Sequence, residues 1–161
     1  LTSHTAERTW RFGSELTILG APRTTAVRSR GAGFFYVHTR VTQGYTQLGQ
    51  VLGAGIGPGS SQLSFTVDRF ARWGKLGASV FRTVYDNDRY YRRPNVSTIG
   101  DFYSHEVEPS VALDAVVFRG PWDLTGSLTA SKLLNQHYIF SNDQLNVNLA
   151  VGLRYHPSAP R

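Results

Sequence analysis

Apolar and polar residues alternate with a period of two in segment after segment of this chain, and the polar positions are mostly small and uncharged. A backbone that sends successive side chains to opposite faces produces this pattern when its two faces meet different surroundings. In the last such segment Leu145, Val147, Leu149, Val151, Leu153 and Tyr155 share one parity, and Asn146, Asn148, Ala150, Gly152 and Arg154 the other. Upstream, Trp122, Leu124, Gly126, Leu128 and Ala130 oppose Asp123, Thr125, Ser127, Thr129 and Ser131. Val107, Pro109, Val111, Leu113, Ala115 and Val117 oppose Glu108, Ser110 and Asp114. Leu63, Phe65 and Val67 oppose Gln62, Ser64, Thr66 and Asp68, and Trp10, Phe12, Leu16 and Ile18 oppose Arg11, Glu15 and Thr17. Between them, Leu76, Ala78 and Val80 share their parity with Arg82, which predicts a bulge near Phe81.

These segments predict six strands, over roughly 9–20, 60–71, 76–88, 105–118, 122–138 and 144–155, with two weaker ones near 33–41 and 45–52. Arg72-Trp73-Gly74-Lys75 and Arg119-Gly120-Pro121-Trp122 read as tight turns, and a long polar connection runs between them from about Arg89 to Ser104. Short turns on one side and long loops on the other are the habit of outer-membrane barrels, whose short turns are periplasmic. That orientation ends the chain on the periplasmic side. The expected fold class is therefore all-β: an antiparallel transmembrane β-barrel, of which this chain supplies about six to eight strands of a larger whole. No repeat or linker divides it, so residues 1–161 read as one unit, the C-terminal part of the barrel.

Composition supports this. Charged residues make up 17% of the chain, against roughly 25% in typical globular domains, and aromatics reach 12%. No run approaches the ~20 apolar residues of a spanning helix, and the mean hydropathy of −0.27 suits barrel strands, whose two parities average out. A soluble sandwich or lipocalin-like barrel would also alternate. The small polar character of the second parity and the aromatics at strand ends favour the membrane. The chain lacks Cys, which excludes disulfides, thiol catalysis and Cys-ligated metals. It also lacks Met and opens at Leu1 without a signal-peptide pattern, so a mature fragment or partial sequence is expected. The net charge of +6 is dispersed among single Lys and Arg residues, which fits a pore wall or a surface facing anionic polymer, and nucleic acid is not expected as a partner.

Several motifs resemble chemical sites. Gly53-Ala54-Gly55-Ile56-Gly57-Pro58-Gly59 lacks the Gly-Lys-Ser/Thr ending of a phosphate loop and precedes a strand, so it reads as a loop whose glycines permit positive φ. Asp86-Asn87-Asp88 offers oxygen ligands without the distal Glu of a calcium loop. On a strand Asp86 and Asp88 would share one side, which is the wrong geometry for a facing acid and base. With Tyr85, these residues suit hydrogen bonding to sugar hydroxyls and stacking on sugar rings. Arg89-Tyr90-Tyr91-Arg92-Arg93 could pair with an acidic polymer or form an interfacial girdle reaching lipopolysaccharide phosphates. The five His residues show no metal spacing, and His38 beside Arg40 suits a polar pore-facing position. No nucleophile elbow is present.

The stretch Gly44 to Gln62, with Gly49-Gln50-Val51-Leu52-Gly53 leading to Ile56-Gly57-Pro58-Gly59-Ser60, is followed after a strand by Arg82-Thr83-Val84-Tyr85-Asp86-Asn87-Asp88-Arg89-Tyr90-Tyr91. The pair resembles the Wzi family of capsule-assembly proteins, and the resemblance runs from about Trp10 to Pro157. It implies a non-catalytic outer-membrane barrel, without cofactor or metal, that binds capsular or other surface polysaccharide and helps hold the capsule at the cell surface. The N-terminal part of such a protein is missing from this chain. Candidate polysaccharide contacts on the loops and inner wall are His38, Arg40, Tyr45, Gln47, Gln50, Asp68, Arg82, Tyr85, Asp86, Asn87, Asp88 and Tyr91. A monomer in contact with outer-membrane lipid and lipopolysaccharide is expected. The alternatives are a diffusion porin for small solutes and a soluble β-barrel binding module.

Overall fold

The alternating segments pair with one another edge to edge. The computed structural model describes residues 2–5, 8–20, 46–47, 50–51, 53–91 and 104–156. In chain order the strands are β1 (Thr2–Thr5), β2 (Arg8–Ile18), β3 (Thr46–Gln47), β4 (Gln50–Val51), β5 (Ser61–Ala71), β6 (Gly74–Val84), β7 (Val107–Arg119), β8 (Trp122–Leu133) and β9 (Gln144–Tyr155). A short helix α1 (Asn87–Tyr91) and a 3-10 turn (Gln136–Tyr138) interrupt the strands. Seven strands form one antiparallel sheet in the order β1-β2-β5-β6-β7-β8-β9, and β3 and β4 pair only with each other. The described sheet is open, with β1 and β9 at its edges.

The two tight turns join β5 to β6 and β7 to β8 at one end of the sheet, where Arg8 and Tyr155 also lie. The longer connections leave from the other end, near Ile18, Val84, Leu133 and Gln144. The division of turn lengths read from the sequence is thus observed.

Four expectations need correction. The β6 ladder runs unbroken from Gly74 to Val84 against both neighbours, so no bulge lies near Phe81. Arg82 keeps the parity of Val80 and stands opposite Leu63 and Pro109, on the apolar face rather than the inner wall. Of the segment 45–52, the described residues Thr46–Gln47 and Gln50–Val51 form a two-residue ladder of their own, outside the main sheet. The third and fifth predicted strands stop early, at Val84 and Leu133, where positive-φ residues (Asp86, and Asn135, His137 and Tyr138) turn the backbone out of the ladder. The β1 strand was not foreseen, and the segment 33–41 lies outside the described residues.

Register sorts the side chains by face. Arg11, Asp68, Gly77, Asp114, Ser127 and Ala150 form one row across the sheet. The next row, on the opposite face, is Phe12, Val67, Ala78, Leu113, Leu128 and Leu149. Across β5 to β8 the polar face is the less exposed of the two, whereas β2 and β9 are exposed on both: Asp68 is fully buried and Thr83 nearly so, while Leu113 is 49% exposed and Phe65 51%. Among the described residues, Val84 and Tyr138 alone are buried apolar side chains. An ordinary soluble domain reverses this arrangement.

Candidate functional site

Two polar assemblies occupy the sheet, one at the long-loop end and one on the polar face near the tight turns. The first begins with Asp86, whose positive φ of 35 ends β6. Its carboxylate Oδ1 accepts from the Arg89 backbone N–H at 3.2 Å, the N-cap bond that an Asp supplies to the third residue of a helix. Local Asx chemistry therefore outcompetes the strand here. Asp86 and Asp88 do not share a strand face: Asp86 caps α1, and Asp88 lies inside it, buried.

The glycine-rich loop closes against this cap. The Gly59 N–H donates to the Leu19 carbonyl at 3.0 Å, the Asn87 N–H to the Gly59 carbonyl at 2.8 Å, and the Asp86 N–H to Ser60 Oγ at 3.0 Å. The two sequence motifs, separated by a whole hairpin, thus meet as backbone. Gly59 sits at φ +75, and a Cβ there would lie 2.6 Å from Asp86 Oδ1. Gly59→Ala is expected to cost about 1–3 kcal/mol through left-handed strain and this overlap. Faster hydrogen exchange at the Asn87 amide, with the strands unaffected, is the measurement that checks it.

Aromatic and titratable groups complete the assembly. Tyr85 donates its hydroxyl to Glu108. Burial, and then that bond to a carboxylate, hold the phenol well above its ordinary pKa, so it stays a neutral donor. Tyr138 is 4% exposed, and its hydroxyl donates to the Asp86 carbonyl at 3.0 Å. The Tyr90 ring packs against that of His105, at a centroid distance of 3.8 Å, and lies 6.2 Å from that of Tyr138. Asn135 Nδ2 donates to the His105 carbonyl at 3.1 Å. Asn87 Oδ1 is buried and has no hydrogen-bond partner among the described residues.

His105 is held below its ordinary pKa of 6.5, first by burial and then by the charge of Arg82. A depressed folded-state pKa means that the unfolded loop binds the proton first, so stability falls as the pH drops below the unfolded value. The cluster is expected to loosen between about pH 7 and about pH 5, and His105→Phe to remove that dependence. Hydrogen exchange at the Tyr90 amide across this range decides it.

The second assembly is a charge network on the polar face. Arg11 Nε donates to Asp68 Oδ2 at 2.7 Å, and its terminal nitrogen lies 2.6 Å from the same oxygen. Lys75 Nζ lies 2.9 Å from Asp68 Oδ1 and 2.8 Å from Asp114 Oδ2. Two cations and two carboxylates therefore alternate across four strands. Gly77 makes room for them, since a Cβ there would overlap both carboxylates. Nearer the loop end the same wall carries Ser79 donating to Thr66 at 3.1 Å and Gln62 donating to Thr83 at 2.9 Å.

The structure thus gathers Tyr85, Asp86, Asn87 and Asp88 into the loop-end cluster and places Asp68 apart from them in the charge network. Arg82 stands on the apolar face at the loop end, where its charge reaches His105. Gln47 and Gln50 face each other in the β3–β4 ladder, and Tyr91 ends α1. His38, Arg40 and Tyr45 lie outside the described residues. Sequence reading missed Ser60, His105, Glu108 and Tyr138 as cluster members. Only the density of Asn and Asp around Tyr138 (Asn135, Asn142, Asp143) signalled a structured loop there. Among the described residues no group of three or more His, Asp or Glu side chains is placed to hold a metal, and no helix is long and apolar enough to cross a membrane. Comparison of the chain with protein-family models, with curated proteins and with solved structures returned no match.

Proposed function

We propose that this chain is part of a bacterial outer-membrane β-barrel that binds surface polysaccharide at the loop end of its strands, without covalent chemistry. The observation that carries the membrane half is the inverted burial. Across β5 to β8 apolar side chains cover the exposed face, and the small polar ones line the more sheltered face. Lipid outside and water inside is the environment that selects this arrangement. Strand length agrees: β5 and β6 have 11 residues each. Such a strand spans about 36 Å, and at a tilt of ~45° covers a depth of about 26 Å, close to the ~25 Å apolar band of outer-membrane barrels. All three tryptophans, with Tyr155, cluster at the tight-turn end, and the Trp122 and Tyr155 rings lie 4.7 Å apart, as an interfacial aromatic girdle would.

The polysaccharide half rests on the Wzi resemblance and on the chemistry of the loop-end cluster. The cluster gathers Tyr85, Asp86, Asn87 and the Tyr90 ring, the residue types that hydrogen-bond sugar hydroxyls and stack on sugar rings. Glu108 is engaged by Tyr85, and Asp86 by its cap, so neither carboxylate is arranged as an acid–base pair. Isolated capsular polysaccharide is expected to bind the intact, detergent-solubilised protein, and Asn87→Ala to weaken that binding about two- to tenfold, the worth of one hydrogen bond. Undiminished surface capsule in a deletion strain would remove the attachment role. Substantial single-channel conductance without polysaccharide binding would favour the porin instead. A chain that stays monomeric and folded in buffer without detergent would remove the membrane reading.

A further inference from the structure

The apolar face carries one feature that a uniform lipid-facing wall does not need. A depression of about 550 Å³ opens on it toward the tight-turn end, within the ~300–1,000 Å³ range of small-molecule sites. Its floor follows from register: Ala78, Ala115 and Gly126 sit on adjacent strands, where their neighbours carry Leu or Val. Leu76, Val67, Leu128 and Leu149 form its sides.

Arg69 stands at its rim. It lies on the apolar face, directly opposite Trp10 on β2 and Leu76 on β6. Its guanidinium sits 5.7 Å from the centre of the Trp10 ring. Its Nε is buried without a hydrogen-bond partner, and among the described residues it forms no ion pair, because the carboxylates beside it, Asp68 and Asp114, project from the other face and are held by Arg11 and Lys75. A cation on an apolar wall with no counter-charge among the described residues calls for an anion at the lipid interface. The guanidinium fork matches phosphate oxygens in particular.

We propose that the depression is a binding site for an anionic phospholipid. One acyl chain lies over Ala78, Ala115 and Gly126, and the headgroup phosphate pairs with Arg69 beside the Trp10 ring. This rests on the outer-membrane reading and places the lipid in the leaflet nearest the tight turns.

Brominated lipids quench only tryptophans they touch, so the native fluorophores supply the test. The protein is placed in vesicles of brominated phosphatidylglycerol or brominated phosphatidylcholine as two variants, one keeping only Trp10 and the other only Trp122. Trp10 should be quenched with about a fivefold preference for phosphatidylglycerol, the size expected for one basic residue at an anionic lipid surface. Arg69→Gln should abolish the preference and Arg69→Lys should retain part of it, with heat-modifiable gel mobility confirming that each variant is folded. Equal quenching of Trp10 by the two lipids overturns the proposal. So does an unquenched Trp10 beside a quenched Trp122, which would mean that another protein surface, such as a second copy, covers the depression. Failure of both tryptophans to respond to either lipid instead overturns the membrane reading itself.

Discussion

Replacing Leu128 by Arg should destabilise the protein in a bilayer by about 2–4 kcal/mol, while Ser127→Arg, one residue away, should cost less than about 1 kcal/mol. Both positions lie near the middle of β8, so depth in the membrane is nearly equal for the two. What differs is the face. Leu128 stands between Leu113 and Leu149 on the exposed apolar side, where a guanidinium would have to be stripped of water by lipid. Ser127 stands opposite Asp114 on the sheltered polar side, where an added cation meets a carboxylate. Denaturant titration of the protein in lipid vesicles reads the two costs directly. If the two costs are equal or reversed, the apolar face meets water rather than lipid, and the outer-membrane proposal fails with it.

Asp68→Ala should cost about 3 kcal/mol, the largest effect expected from any single polar residue of the sheet. Asp68 is fully buried, and both of its oxygens are engaged by cations, so its removal takes the carboxylate from Arg11 and leaves Lys75 with Asp114 alone. Breaking a buried ion pair from one side costs ~3–5 kcal/mol, because the partner stays behind uncompensated. The lower end applies here: the Arg11 side chain is 56% exposed and can recover water. Arg11→Gln should therefore be milder, and the double variant combining it with Asp68→Ala should cost less than the sum of the two singles. Additive losses would show that the network acts as independent contacts. The same titration, run on the three variants, distinguishes these outcomes.

Where sequence reading succeeded, the physics was local and repetitive. Five of the six main strands are regular enough in parity that their pairing faces could be assigned residue by residue, and register bore them out. Arg82 shows the limit of that approach. Its parity was read correctly, but a charge among apolar residues suggested a bulge to rescue it. The ladder stays regular, and Arg82 simply stands among them, within reach of the loop that holds His105. Asp86 shows a second limit. The alternation of Tyr85 to Asp88 looked like a strand end, yet a single side chain capping the next helix turned it into a corner. Cap geometry depends on φ, which parity does not reveal.

The loop-end cluster was legible only in part. Tyr85, Asp86, Asn87 and Asp88 were found because they are adjacent in the chain. Tyr138, Glu108 and Ser60 join them from remote segments, through contacts that no local pattern encodes.

The amino-acid sequence by itself determined that this chain makes long antiparallel strands with one apolar and one small polar face, since period-two alternation follows from backbone geometry alone. Which face is sheltered was decided only by the tertiary structure. Alternation is the same whichever face turns inward, and only the burial of Asp68 and Thr83 beside the exposure of Phe65 and Leu113 tells the two apart. Tertiary structure also decided that two distant motifs share one backbone corner and that Arg69 faces outward over a depression, because both depend on which strands become neighbours.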